Sequence, residues 1–250
     1  MYRRWVSGYQ FQWTPVLTYT RRHLQLLDWF EANVEPVAFV EVHTRVGVAI
    51  IADDLRVTVT RSGMYVESGL SGLSTDLLMP AVEGIFEIME PRDTVLSYSA
   101  ETGTHILPGA DYHEECARFG SAMGGAGALQ AGFRPVDGSV LVDLQTAETT
   151  MQVEWGIVNS EELLYRLQHP RLSRIGRVED EVSPDQAGRH SVPPEELPPV
   201  SVFTDVFTRR RVGGEVSGIA DVKALIGEAN ADAETVSNSF ARHFEQRKEA

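Results

Sequence analysis

Residues 37–51 read Val-Ala-Phe-Val-Glu-Val-His-Thr-Arg-Val-Gly-Val-Ala-Ile-Ile. A β-strand turns successive side chains to opposite faces. A single strand over this stretch therefore puts Val40, Val42, Val46, Val48 and Ile50 on one face and Glu41, His43 and Arg45 on the other. One apolar and one polar face is the pattern of an antiparallel sheet covered on one side; strands of a parallel sheet are apolar on both. Outward from this run, Asp53-Asp54 reads as a turn and Leu55–Thr60 as a second strand. Arg61-Ser62-Gly63 then carries a hairpin signal into a third strand over Met64–Glu67. Residues 37–67 are thus predicted to form a three-stranded antiparallel meander.

The same reasoning extends along the chain. Gln12–Thr20 is rich in aromatic and β-branched residues and reads as a strand, with Pro15 placing it at an edge or a bulge. Residues 21–32 have helical spacing, stopped by Asn33 and Pro36. Residues 74–90 carry Leu78, Val82, Ile85, Phe86 and Met89 on one helical stripe, and Pro80 fits best in the first turn. A long strand follows from Thr94 to Leu107, then a short helix over 111–119 and a Gly/Ala-rich stretch over 120–132. Strands at 139–145 and 150–158, a helix from Glu161 to His169, and a strand at 200–208 come next. A C-terminal helix, read as interrupted at Asn230, closes the chain. Five of the twelve prolines fall within 178–199, where no apolar period survives, so this segment reads as a flexible excursion.

The expected fold is α+β, a predominantly antiparallel sheet with helices packed on one face. The order of elements echoes itself, which suggests two similar sheet–helix halves, residues 1–91 and 92–250, in one domain or two.

Composition narrows the function. The apolar fraction of 42% and charged fraction of 23% suit a globular chain. A formal charge of −14 argues against general nucleic-acid binding, which needs a positive footprint. Of the 22 basic side chains only Lys223 and Lys248 are lysines, a bias that hints at a GC-rich bacterial source. Cys116 is the single cysteine, so no intrachain disulfide forms. No apolar run is long enough to span a membrane and no signal-peptide pattern is evident, so a cytoplasmic location without membrane association is expected.

Several constellations invite chemistry. Glu41, His43 and Arg45, with Tyr98 and His105 on the later long strand, are candidates for a ligand- or anion-binding face if that face lines a cavity. His113 and Cys116 lie three apart on a predicted helix and are weak metal-ligand candidates, with no His-Glu-x-x-His and no cysteine pair to support them. Asp53-Asp54 is explained as well by a turn as by a cation. The glycine run 120–132 lacks the Gly-Lys-Ser/Thr ending of a phosphate loop, and no Gly-x-Ser-x-Gly elbow occurs. No catalytic residue and no cofactor is therefore assigned. Near the N-terminus, Trp5, Tyr9, Phe11 and Trp13 alternate beside Arg3 and Arg4, residue types typical of interface anchors, although the same face could cover the core. The leading expectation is a non-enzymatic protein-interaction or assembly module with a protein partner or a homo-oligomeric state. The alternatives are a small-molecule binding protein with a sheet–helix cavity and a metal- or Cys-dependent enzyme.

Overall fold

Two long strands, β1 (Tyr2–Gln12) and β6 (Val95–Ile106), pair antiparallel at the middle of a nine-stranded sheet. The structure, a computed structural model, describes residues 2–34, 38–42, 47–52, 55–68, 78–123, 138–168, 194–210 and 218–246. On the β1 side the sheet continues through β5 (Gly63–Ser68), β4 (Leu55–Thr60), β3 (Gly47–Ala52) and β2 (Ala38–Val42). On the β6 side it continues through β9 (Val200–Arg210), β8 (Thr149–Asn159) and β7 (Gly138–Gln145). Every neighbouring pair is antiparallel.

Among the described residues the α-helices are α1 (Tyr19–Asn33), α2 (Leu78–Met89), α3 (Tyr112–Ala122), α4 (Ser160–Gln168) and α5 (Ile219–Gln246). Counted outward from the centre, β1, β5, β4 and β3 match β6, β9, β8 and β7. A helix follows the first strand of each set (α1, α3), and another follows the last strand of each set to be made, β5 and β9 (α2, α5). The two sets meet across the β1–β6 pair.

One face of the sheet carries α1, α2, α3 and α5. Tyr9 and Phe11 of β1, Val57 and Val59 of β4, and Val66 of β5 pack there against Leu26 and Phe30 of α1, Ile85 of α2, and Val222 and Ile226 of α5. Farther along, Trp155, Ile157 and Val202 pack against Phe119 of α3 and Phe244 of α5. Removing such large apolar groups from water is worth about 1.5–3 kcal/mol each, which makes this layer the main source of stability. The fifth helix, α4, sits on the opposite face. Its Leu163 and Leu167 cover Trp5, Val158 and Phe203 at one end of the sheet.

Several expectations change. The strand expected at 12–20 lies earlier, in β1, and α1 begins at Tyr19. The single strand expected over 37–51 is two, β2 and β3, so the meander has four strands. Their register pairs Val40 with Ala49 and Val42 with Gly47, so the valines of the two strands do not make one row. Asn230 does not break α5, which is continuous from Ile219 to Gln246. There the Asn230 side chain accepts a hydrogen bond from the Tyr9 hydroxyl, a tertiary partner that offsets its low helix propensity. Pro80 lies in the first turn of α2, where its missing N–H costs nothing. Asp111 caps α3, accepting from the Glu114 backbone N–H at 3.0 Å. The expected turn at Asp53-Asp54, the glycine-rich run from 124 onward and the excursion from 178 to 193 fall outside the described residues. Among the described residues, no helix is long and apolar enough to cross a membrane.

Candidate functional site

The sheet face turned away from α1, α2 and α5 is polar, and register shows why. Directly opposed residues on antiparallel strands share a face. One such row runs Thr58, Tyr65, Gln10, Tyr98, Arg209, Thr150 across β4, β5, β1, β6, β9 and β8. The next runs Arg56, Glu67, Gly8, Ala100, Phe207, Gln152, Asp143. Each alternates with a core residue: Gln10 stands between Tyr9 and Phe11, and Thr58 between Val57 and Val59. The sequence pattern that makes the core thus also makes this polar face.

Small residues shape its middle. A Cβ at Gly8 would lie 2.8 Å from the Tyr65 hydroxyl, so glycine is what lets that ring lie across β1. The Tyr65 hydroxyl donates to Glu67 at 2.6 Å, and both residues are buried. The Tyr98 and Phe207 rings stand 5.5 Å apart beside Ala100. Deeper in the same face, Thr102 donates to Asp205 at 2.7 Å, and Arg166 of α4 pairs with Glu154 and lies over the Phe203 ring.

Among the described residues, this face carries clefts at one end of the strands. The larger, about 470 Å³, is lined by Gln10, Gln12, Thr58, Thr60, Ser62 and Tyr65, with Trp13, Gly63 and Met64 completing it. None of these side chains is charged at neutral pH. The Gln10 side-chain oxygen is buried and has no hydrogen-bond partner among the described residues. A smaller cleft of about 330 Å³ lies between Asp143, Gln152, Phe207 and Arg209.

A second polar cluster lies on the helix side, between β1, β6 and α5. Glu101 is 4% exposed and pairs with Arg4 at 2.7 Å while accepting from the Tyr2 hydroxyl. Arg4 also reaches Glu234 of α5 at 4.0 Å. Burial pushes the Glu101 carboxyl up to about 7, against the opposing pull of Arg4. Burial also raises the Tyr2 hydroxyl above its ordinary value, reinforced by the Glu101 charge. The Tyr2 ring occupies the space that a side chain at position 103 would need, and sits 5.2 Å from His105. This cluster is closed by packing and holds the start of β1 in place.

The residues singled out in the sequence are dispersed. Tyr98 belongs to the polar row beside the larger cleft, whereas His105 points to the helix side of the same strand, so the two do not share a site. His43 and Arg45 lie outside the described residues; Glu41 is opposite Val48 in register, and its side chain is not among those described. Trp5, Tyr9, Phe11 and Trp13 are each at most 4% exposed, so the N-terminal aromatic face is interior and offers no docking surface. Its alternating register places these rings in the packed layers on either side of β1. Arg3 stacks on Trp5 at 3.9 Å and donates to the Glu196 carbonyl, while Arg4 is held by Glu101. His113 is exposed on α3 and Cys116 is buried against the sheet, so the pair does not converge. Among the described residues, no group of three or more His, Cys, Asp or Glu side chains is placed to hold a metal ion. Gln10 and Tyr65 carry no motif, being uncharged; the signal available in sequence is the alternation Val-Thr-Val-Thr over 57–60 and Gln-Phe-Gln over 10–12. No protein-family model matches the chain, and a search of curated proteins finds no match either.

Proposed function

We propose that this chain is a non-catalytic binding protein that holds a neutral, hydroxyl-rich small molecule, such as a sugar, in the larger strand-end cleft. The observation that carries this reading is the buried oxygen of Gln10, without a hydrogen-bond partner among the described residues, in a cleft lined by hydroxyls and amides. A buried acceptor without a donor costs about 1–3 kcal/mol, and a ligand hydroxyl would remove that cost. The cleft volume of about 470 Å³ falls in the range of small-molecule sites. Anionic ligands fit poorly, because no lining side chain would neutralise them and the chain already carries −14. Apart from the Tyr65 phenol, the lining has no group that ionises within the range of ordinary acid–base catalysis, so it favours holding over converting.

Titration calorimetry with neutral mono- and disaccharides, set against their carboxylated or phosphorylated counterparts, tests the reading. Binding confined to the neutral set is expected, with Gln10→Leu weakening it by about tenfold or more. Equal binding of charged and neutral compounds, no binding by either, or an unchanged affinity in Gln10→Leu would overturn it.

A further inference from the structure

We infer that the Tyr65 ring is the inner wall of the larger cleft, that Gly8 and Glu67 hold it back, and that these two positioning residues set the room a ligand finds there. The inference rests on the reading above in taking this cleft as the ligand site. Register supplies the first observation. The cleft covers two rows of the polar face, Thr58, Tyr65 and Gln10, and then Thr60, Gly63 and Gln12. The row on the other side of Tyr65, made by Arg56, Glu67 and Gly8, does not line it. Side chains on a strand lean along the strand direction. At position 65 a ring therefore leans either forward over the cleft floor or backward over Gly8, and it leans backward.

Two contacts keep it there. The Tyr65 hydroxyl donates to Glu67, two residues on along β5, at 2.6 Å, and Glu67 is fully buried. The ring also needs position 8 to lack a side chain. A Cβ on Gly8 would stand 2.8 Å from the hydroxyl oxygen and 3.4 Å from the ring carbon that carries it. Gly8 is ordinary strand without a positive φ, so alanine suits its backbone, and only the ring stands in the way. The strand cannot yield easily, because β1 is paired at Gly8 on both edges, with Glu67 of β5 and Ala100 of β6. The ring can, because its χ1 has other staggered wells. Swinging off Gly8 along the strand brings it over Gln10 and closes the cleft.

Crystal structures and titration calorimetry of the full chain test this, with glucose and maltose as probes. In Gly8→Ala the ring is expected to stand over Gln10. The affinity for the sugar that the native chain binds is expected to fall at least tenfold, with circular dichroism unchanged. Adding Tyr65→Ala to Gly8→Ala removes the displaced ring and is expected to recover much of that affinity, which a general fault in β1 would not allow. Tyr65→Phe removes the tether to Glu67 alone and is expected to weaken binding three- to tenfold. It also decides the matter if Gly8→Ala does not fold. A ring that stays over position 8 in Gly8→Ala, a double variant no better than Gly8→Ala, or an unchanged affinity in Tyr65→Phe overturns the inference. A native chain that binds neither sugar, while the ring turns forward in Gly8→Ala, overturns the ligand reading and supports the assignment of the wall.

Discussion

Glu101 shows how a single residue couples the fold to pH. Its carboxyl is nearly sealed between Tyr2, Arg4 and α5, and it holds its proton up to about 7 rather than the ordinary 4.5. Because the folded state binds that proton more tightly than the unfolded chain, the stabilising contribution is fully present below about 4.5 and is lost as pH rises to about 7. The difference corresponds to about 3 kcal/mol over that window. Urea unfolding of the native chain and of Glu101→Gln across the same window measures it. The native chain is expected to lose stability relative to the variant as pH rises, since glutamine does not titrate. Parallel curves would mean that the carboxyl is already ionised at the acid end. The same scale shows what a sequence hides. The alternation at 57–60 was legible, but the meaning of Thr58 and Gln10 depends on strands more than forty residues apart coming into register. Local pattern sets which face a side chain takes; it does not say which other side chains join it there.

At the scale of elements, glycines divide into those that a close approach requires and those that merely weaken a helix. Gly227 lies in the interior of α5, and a Cβ there would meet nothing within 4 Å. Gly227→Ala is therefore expected to raise stability by about 0.5–1 kcal/mol through helix propensity. Gly156 in β8 is the contrary case, since its Cβ would fall 2.0 Å from the carbonyl oxygen of Gly138 on β7. A backbone atom has no rotamer to escape into, so Gly156→Ala is expected to cost about 1–3 kcal/mol and to loosen the β7–β8 pair. Thermal unfolding of the two variants checks both signs. The elements themselves were largely legible, because period two and helical spacing are local signals: α2, β6, β7, β8 and β9 fall close to their expected places. The failures share a cause. The run over 37–51 satisfies period two as one strand, yet the chain folds back within it. The aromatics Trp5–Trp13 suit interface anchors as well as a core face in sequence, because burial of Trp5 and Phe11 depends on helices much later in the chain.

The whole molecule is tied together across its centre, and this decides how it unfolds. The β1–β6 pair joins the two strand sets along their full length. From the second set, α5 crosses back, so that Val222, Ile226 and Ala229 complete the core beneath β4 and β5. In the other direction Trp5 and Val6 of β1 are covered by α4, and the Trp5 indole donates to Thr104 at 2.9 Å. Neither set therefore owns a closed apolar core, and separating them would expose Tyr9, Phe11 and Ile226 together. The mirrored order of strands, visible in the sequence only as an echo, is therefore expected to describe geometry rather than two independently stable units. Scanning calorimetry is expected to give a single transition whose calorimetric and van't Hoff enthalpies agree, with tryptophan fluorescence and far-UV dichroism coincident. Trp13 and Trp155 report from different cores, one in each set, so a set that melted alone would separate those probes. Two resolved transitions would show that α5 and the central strand pair transmit less than their packing implies. Loss of α5, by stopping the chain before Ile219, is correspondingly expected to abolish the transition in both sets rather than in the second alone.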